Sequence, residues 1–233
     1  LAARRGSTET ISDVIVTGSR GAFAVYDFAA FYEFNTDRAR WIIDPFAFFK
    51  RGFGEDRFPV PDVTTLAVSG GTGSIYVTEL DTTTGDGLTV GTVNLPAGGT
   101  LSGVVAASAN QDVSLKVQAG DLRVGANVTA GRTVSLETTN GSILGNGGTV
   151  GGTNATLVAG GTGSIGTSGS ALSTNVGTLA ARTTDGGIFI TNSGALTVGT
   201  VTPADGSTAI AGLTAGGTGA DIVVDGGYLA QTI

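Results

Sequence analysis

The sequence predicts an all-β protein whose larger part is a right-handed parallel β-helix, a solenoid of short strands. Three observations predict this fold: abundant glycine, an aliphatic and β-branched apolar set, and a phrase that recurs at a fixed interval. The chain has 233 residues and 40 glycines, well above the roughly 7% that is usual in proteins. These glycines separate runs rich in Val, Thr and Leu, which is typical of turns between short strands.

A phrase that runs from a leucine to an isoleucine or leucine seven to nine residues later recurs after residue 62. Its instances are residues 66–75, 115–122, 136–143, 157–165, 179–188 and 213–222. The leading leucines Leu115, Leu136, Leu157 and Leu179 are spaced by 21, 21 and 22 residues. Such a period indicates a repeat protein, and it is too short for paired helices.

Three short strands and three turns would use one such period, so we expect about 21–22 residues per coil. Alternate residues of a strand face the same side, and Leu, Ile and Val are expected to stack inward on their equivalents in the next coil. Gly and Asn are expected at the corners, where positive φ is needed. The phrase LTVGTV also occurs twice, at residues 88–93 and 196–201.

The composition changes near residue 62. Residues 1–62 hold 12 of the 15 aromatic residues, and we interpret this segment as a cap or assembly joint, with residues 63–233 as the β-helix repeat region. A small aromatic core in an inserted hairpin is the alternative. Because exposed aromatics favour interfaces, the assembly-interface candidates are Phe28, Phe31, Tyr32, Trp41, Phe48 and Phe49.

Charge and residue usage exclude several function classes. The net charge of −7 argues against nucleic acid, which requires a basic surface. No run of 18 apolar residues is present, so no membrane insertion is expected. The chain has no Cys and no His, which excludes disulfides, Ser-His-Asp and Cys-His catalysis, and His-metal sites.

One phrase matches a metal motif. Residues 216–224 read GGTGADIVV and fit the calcium-binding nonapeptide once, so Asp221 is a weak candidate ligand for Ca²⁺. Successive turns share the ligands of such a site, and a single copy cannot complete it. A glycine corner is therefore the preferred interpretation, and no cofactor is expected.

The acidic residues fall at different phases of the repeat. They are therefore expected to scatter around the rod, and no enzymatic activity is expected. Asp121 with Arg123, or Glu137 with Arg132, is predicted to form a solvated surface pair.

Residues 73–93, 119–143 and 161–201 resemble the haemagglutinin-type repeats of filamentous-haemagglutinin-like adhesins, the large exoproteins of bacterial two-partner secretion. The resemblance covers roughly residues 66–233. It implies a β-helical fibre at the bacterial cell surface or in the extracellular space that mediates adhesion or matrix building. Residues 1–62 do not resemble the secretion domain of that family.

The sequence therefore predicts a non-enzymatic structural or adhesive protein that self-assembles into filaments. Its expected partners are further copies of itself and host-cell or matrix carbohydrate. Two alternatives stay open. A carbohydrate-active β-helix enzyme, such as a polysaccharide lyase or hydrolase, would gather three acidic residues in one groove. A calcium-dependent matrix protein would need Ca²⁺ for its stability.

Overall fold

The computed structural model describes residues 13–18, 21–25, 63–70, 73–79, 87–94 and 99–228. Within these ranges all the regular elements are β-strands, so the predicted all-β class is confirmed there. No helix in these ranges is long and apolar enough to span a bilayer. The boundary at residue 62 and the six aromatic interface candidates lie outside the described residues and stay predictions. Those candidates are Phe28, Phe31, Tyr32, Trp41, Phe48 and Phe49.

The strands are short near the start of the repeat region and longest in its middle. They are β1 (Asp13–Gly18), β2 (Gly21–Val25), β3 (Val63–Ser69), β4 (Ser74–Glu79), β5 (Leu88–Val90), β6 (Thr92–Asn94), β7 (Thr100–Ser102), β8 (Val104–Ala106), β9 (Val113–Val117), β10 (Leu122–Val124), β11 (Val128–Ala130), β12 (Thr133–Thr138), β13 (Ile143–Gly145), β14 (Thr149–Ala159), β15 (Leu172–Thr183), β16 (Ile188–Ala195), β17 (Thr197–Val198), β18 (Thr200–Val201), β19 (Ile210–Ala211), β20 (Leu213–Thr214) and β21 (Ile222–Tyr228).

Most of these strands form one large sheet of parallel pairs, in which a strand pairs with the strand one repeat earlier or later. We call each such stack a ladder. Ladder 1 contains β5, β10, β13, β16 and β21; ladder 2 contains β3, β8, β11 and the first halves of β14 and β15; ladder 3 contains β1, β4, β9, β12, the second halves of β14 and β15, β17 and β20. Two antiparallel hairpins, β6–β7 and β18–β19, stand apart from the ladders.

Ladder 1 shows the period most directly. One column of paired residues comprises Leu88, Leu122, Ile143, Ile165, Ile188 and Ile222. The steps along it are 34, 21, 22, 23 and 34 residues, by subtraction of these numbers. The predicted period is therefore confirmed in the middle of the repeat region. Each long step contains one of the two hairpins.

The inward-facing residues are the buried alternate residues of each strand, as in β9, where Val113, Leu115 and Val117 are buried and the two residues between them are half-exposed. They form one continuous hydrophobic core. Burying a side chain of this size contributes about 2 kcal/mol. The predicted inward stacking of Leu, Ile and Val is confirmed.

The leucine phrase was only partly in phase. Leu115, Leu136 and Leu157 do stack in one column of ladder 3, but the next residue in that column is Ala181. Leu179 pairs instead with Ala155 in the neighbouring column. A leucine and an alanine have exchanged columns, which conserves the volume of the core.

The first instance of the phrase was placed wrongly. Leu66 pairs with Val90, at the start of the repeat, whereas Ile75 pairs with Val113 of ladder 3. In the other instances the leading leucine lies in ladder 3, and the closing residue lies in ladder 1. The same local sequence, GGTGSI, therefore turns two different corners, at residues 70–75 and 160–165.

Corner glycines serve two purposes. Gly120 has φ of 85°, and among the described residues the one non-glycine with positive φ is Asn110, as expected for a left-handed turn position. Gly141 and Gly163 do not have positive φ. A Cβ on Gly163 would lie 1.8 Å from the carbonyl oxygen of Gly141, and one on Gly141 would lie 1.9 Å from that of Gly120. These corners need glycine because successive backbones touch there.

Candidate functional site

The two copies of LTVGTV each lead into a hairpin that leaves a ladder and returns to it. The amide of Gly103 donates to the carbonyl of Gly91 at 2.8 Å in the first copy, and the amide of Gly212 donates to the carbonyl of Gly199 at 2.8 Å in the second. These bonds close the base of each hairpin, so the two copies are one structural cassette.

The cassette is inserted at two different faces of the molecule. The first copy interrupts a strand path beside β3, where Leu66 pairs with Val90 and Val68 pairs with Val104. The second interrupts ladder 3 beside β15, where Leu179 pairs with Val198 and Ala181 pairs with Leu213. In both cases the neighbouring strand runs on unbroken, so the hairpin must lie outside the sheet.

The second hairpin, β18–β19, folds back over the outward face of ladder 3. The amide of Ala204 donates to Oγ of Ser135 at 2.7 Å, and Oγ1 of Thr156 donates to the same oxygen at 2.8 Å. Val201 is buried in this contact. The hairpin explains why Ser135 and Thr156 are buried although their side chains face away from the core.

A groove of about 370 Å³ lies between this hairpin and the sheet. Its floor carries Lys116, Glu137, Val158 and Arg182, which follow one another along one outward column of ladder 3. Nζ of Lys116 lies 2.7 Å from Oε1 of Glu137. The other lining residues are Ser114, Ser135, Leu136, Thr156, Pro203, Asp205, Ser207, Thr208, Ala209, Ile210, Ala211 and Thr214.

A second cavity of about 430 Å³ also borders the hairpin, next to Asp112, Arg132, Thr133 and Asn154. Oδ1 of Asp112 accepts a hydrogen bond from Nε of Arg132 at 2.9 Å, and Oδ2 accepts a second from the terminal guanidinium nitrogen. The hydrogen bond and the charge of Asp112 raise the pKa of Arg132 above its ordinary value. The cation in this cavity is therefore already paired.

Side chains also join successive repeats at their corners. Oδ1 of Asp112 accepts from the amide of Thr133 at 3.1 Å. Oδ1 of Asp121 accepts from the amide of Ser142 at 2.9 Å, and Oδ1 of Asn127 accepts from the amide of Thr149 at 3.0 Å. Each bond joins residues 21 or 22 positions apart. Each of these acceptors therefore has a structural role in the stack.

The predicted ion pairs are half right. Arg123 does pair with Asp121, at 2.7 Å, with both side chains partly exposed. The predicted pair of Glu137 with Arg132 is wrong. The register places Glu137 opposite Lys116, whereas Arg132 precedes β12 and reaches Asp112.

The calcium candidate Asp221 is exposed and directly precedes β21. Among the residues that the structure describes, no three His, Cys, Asp or Glu side chains come together as a metal site. The described lining of the 370 Å³ groove includes two carboxylates, Glu137 and Asp205, and that of the larger cavity includes Asp112 alone. Neither described lining has the three acids that a β-helix polysaccharide enzyme would need.

Comparison of the chain with models of protein families, with curated proteins and with solved structures finds no match. The resemblance to haemagglutinin-type repeats therefore stays a prediction. The hairpin-covered groove was not predicted from the sequence. The available signal was the second LTVGTV phrase, because each copy is followed by Pro-Ala and a glycine turn, at residues 96–99 and 203–206.

Proposed function

We propose that the repeat region is a right-handed parallel β-helix, and that it is a stiff, non-enzymatic rod in a structural or adhesive fibre at the bacterial cell surface or in the extracellular space. The observation that carries the proposal is the column of ladder 1, in which six residues from Leu88 to Ile222 follow one another in register. Three ladders around one continuous core are the arrangement that a β-helix requires.

The stack suits a mechanical role. Each repeat contacts mainly its neighbours, so stability accumulates along the axis. The corner bonds from Asp112, Asp121 and Asn127 fix one repeat on the next. A load along the rod is shared by many parallel backbone hydrogen bonds and by the buried columns between them.

The last described repeat supports assembly into a filament. Ile222 and Val198 belong to inward-facing columns, yet they are 45% and 49% exposed, whereas their partners Ile188 and Leu179 are fully buried. The described residues provide β21 with one pairing partner, β16. A free edge and an uncovered core are what a further stacked repeat from a second copy would cover. Residues 1–62 are the proposed joint on the other copy.

Electron microscopy of the purified chain tests this proposal. We expect filaments from the natural chain and none from Ile222→Asp, because a carboxylate in the stacked column cannot be solvated at the joint. Val223→Asp is the matched control: it lies on the same strand, faces outward and is 53% exposed, and its filaments should persist. Single short particles from the natural chain, or equal filaments from all three, would contradict end-to-end assembly.

A further inference from the structure

We infer that the groove between the second hairpin and the outward face of ladder 3 binds a linear, uncharged, polyhydroxylated chain, that is, a neutral polysaccharide. This inference rests on the proposed adhesive function, because it names the ligand that the rod would hold. It assigns recognition to residues of the repeat region itself rather than to the aromatic segment.

The first reason is that the hairpin only partly packs on the sheet. It contacts the column of Ser135 and Thr156 through the amide of Ala204. Beside this contact it leaves the column of Lys116, Glu137 and Arg182 uncovered, as the floor of the 370 Å³ groove. That volume lies within the range of about 300–1,000 Å³ that is usual for ligand sites.

The second reason is the direction of the groove. Its floor presents one residue from each successive repeat, in the order Lys116, Glu137, Val158, Arg182 and Thr214. Parallel strands lie about 4.8 Å apart, so the floor extends roughly 20 Å along the axis. A regularly repeating polymer can meet such a periodic floor at several units at once.

The third reason is the hydrogen-bonding chemistry. A sugar hydroxyl both donates and accepts, and the groove offers both kinds of partner. Lys116 and Arg182 donate, Glu137 and Asp205 accept, and the Ser and Thr hydroxyls do either. Arg182 is exposed and forms no ion pair with another described residue, so its five donors are available.

The fourth reason is charge. The two cations and two anions that line the groove cancel, and the whole chain carries −7. A polyanion such as a sulfated glycan would be repelled overall, whereas an uncharged chain meets no electrostatic cost. Binding should therefore change little with salt, since screening acts on charged ligands.

The fifth reason comes from the two cassettes. The first tip reads PAGGT at residues 96–100, and the second reads PADGST at residues 203–208. The second tip thus gains the carboxylate of Asp205 and a hydroxyl, and both of the added residues, Asp205 and Ser207, line the groove. A constant hairpin base with a varied tip is the arrangement expected of a recognition loop.

Isothermal titration calorimetry with defined hexasaccharides tests the inference. The probes are β-1,4- and β-1,3-linked glucose hexamers, a β-1,4-linked N-acetylglucosamine hexamer and a heparin hexamer. We expect at least one neutral hexamer to bind with an affinity that is the same at low and high salt. Arg182→Ala and Asp205→Asn should each weaken that binding at least tenfold. Arg123→Ala, which alters a paired arginine in ladder 1, should leave it unchanged.

Three results would overturn the inference: binding of no neutral hexamer, binding of heparin alone with loss at high salt, or neutral binding that Arg182→Ala does not weaken. The outcome is separable from the proposed rod. Electron microscopy of Arg182→Ala should still show filaments, so absence of filaments in the natural chain contradicts the fibre, whereas intact filaments without sugar binding contradict the ligand alone.

Discussion

Asp112 and Arg132 precede successive strands of ladder 3, and two hydrogen bonds from the guanidinium to the carboxylate join them. The side chain of Asp112 is 1% exposed, and it also accepts a bond from the amide of Thr133. One carboxylate therefore closes the corner of its own repeat and fixes the start of the next strand. Asp121 and Ser142 repeat the arrangement at another corner.

Replacing Asp112 with alanine should destabilise the protein by about 2 kcal/mol, because hydrogen bonds to charged groups contribute roughly 1.5–3 kcal/mol. Urea unfolding measures this free energy. Asp221→Ala is the control, since Asp221 is exposed, and its effect should stay within about 0.5 kcal/mol. Equal effects of the two substitutions would remove the corner bond from the account.

The same ion pair predicts a flat pH response. The pKa of Arg132 is raised by the hydrogen bond and charge of Asp112. A raised pKa means that the stabilisation by the charged guanidinium is present below the ordinary arginine pKa and is lost only as the pH rises through the raised value. The stability difference between the natural chain and Arg132→Ala should therefore be constant from about pH 7 to pH 10. A difference that shrinks across this interval would contradict the pair.

The glycine corners predict a sharp contrast between two glycines of one loop region. Gly163→Ala should destabilise the protein by about 3 kcal/mol, because its Cβ would lie 1.8 Å from a backbone oxygen of Gly141. Gly169→Ala should be neutral or slightly stabilising, since nothing lies within 4 Å of the added carbon. Thermal unfolding of both variants makes the comparison, and a tolerated Gly163→Ala would mean that the corners do not touch.

Asn192 tests the one amide buried in ladder 2. It follows Val104, Val128, Val150 and Thr174 along an inward column. Its Oδ1 accepts from the amide of Val176 at 2.9 Å and from Thr174, and its Nδ2 donates to the carbonyls of Val176 and Gly194.

Asn192→Leu keeps the volume but leaves these groups unsatisfied, so chemical unfolding should show a loss of about 2–3 kcal/mol. Asn175→Leu, at an exposed outward position, should cost under about 0.5 kcal/mol. If the leucine at residue 192 were stabilising, hydrophobic packing would outweigh the amide bonds.

The strand class and the period could be predicted because both depend on local, repeated features. Leu115, Leu136 and Leu157 are 21 residues apart and stack. The exchange at Leu179 and Ala181 could not be predicted, since either residue fills an inward position and only the summed core volume is constrained.

The groove was beyond prediction for a different reason. Ser135 and Thr156 alternate with apolar residues, as outward residues do, and nothing local shows that residues 200–211 cover them. That contact spans 69 residues. The partner of Glu137 was likewise a matter of register, because Lys116 is one repeat away along the chain.

Disulfide trapping tests the in-register stacking on which the rod, the corners and the groove all depend. The chain has no cysteine, and Ser173 and Thr191 are exposed partners in β15 and β16. Paired residues of adjacent strands lie about 4.8 Å apart, within the span of a disulfide. The double variant Ser173→Cys, Thr191→Cys should therefore form an intramolecular disulfide on mild oxidation. The variant Ser173→Cys, Ser193→Cys, offset by two residues and about 8 Å apart, should not. Failure of the first pair, or equal oxidation of both, would contradict the stacked register.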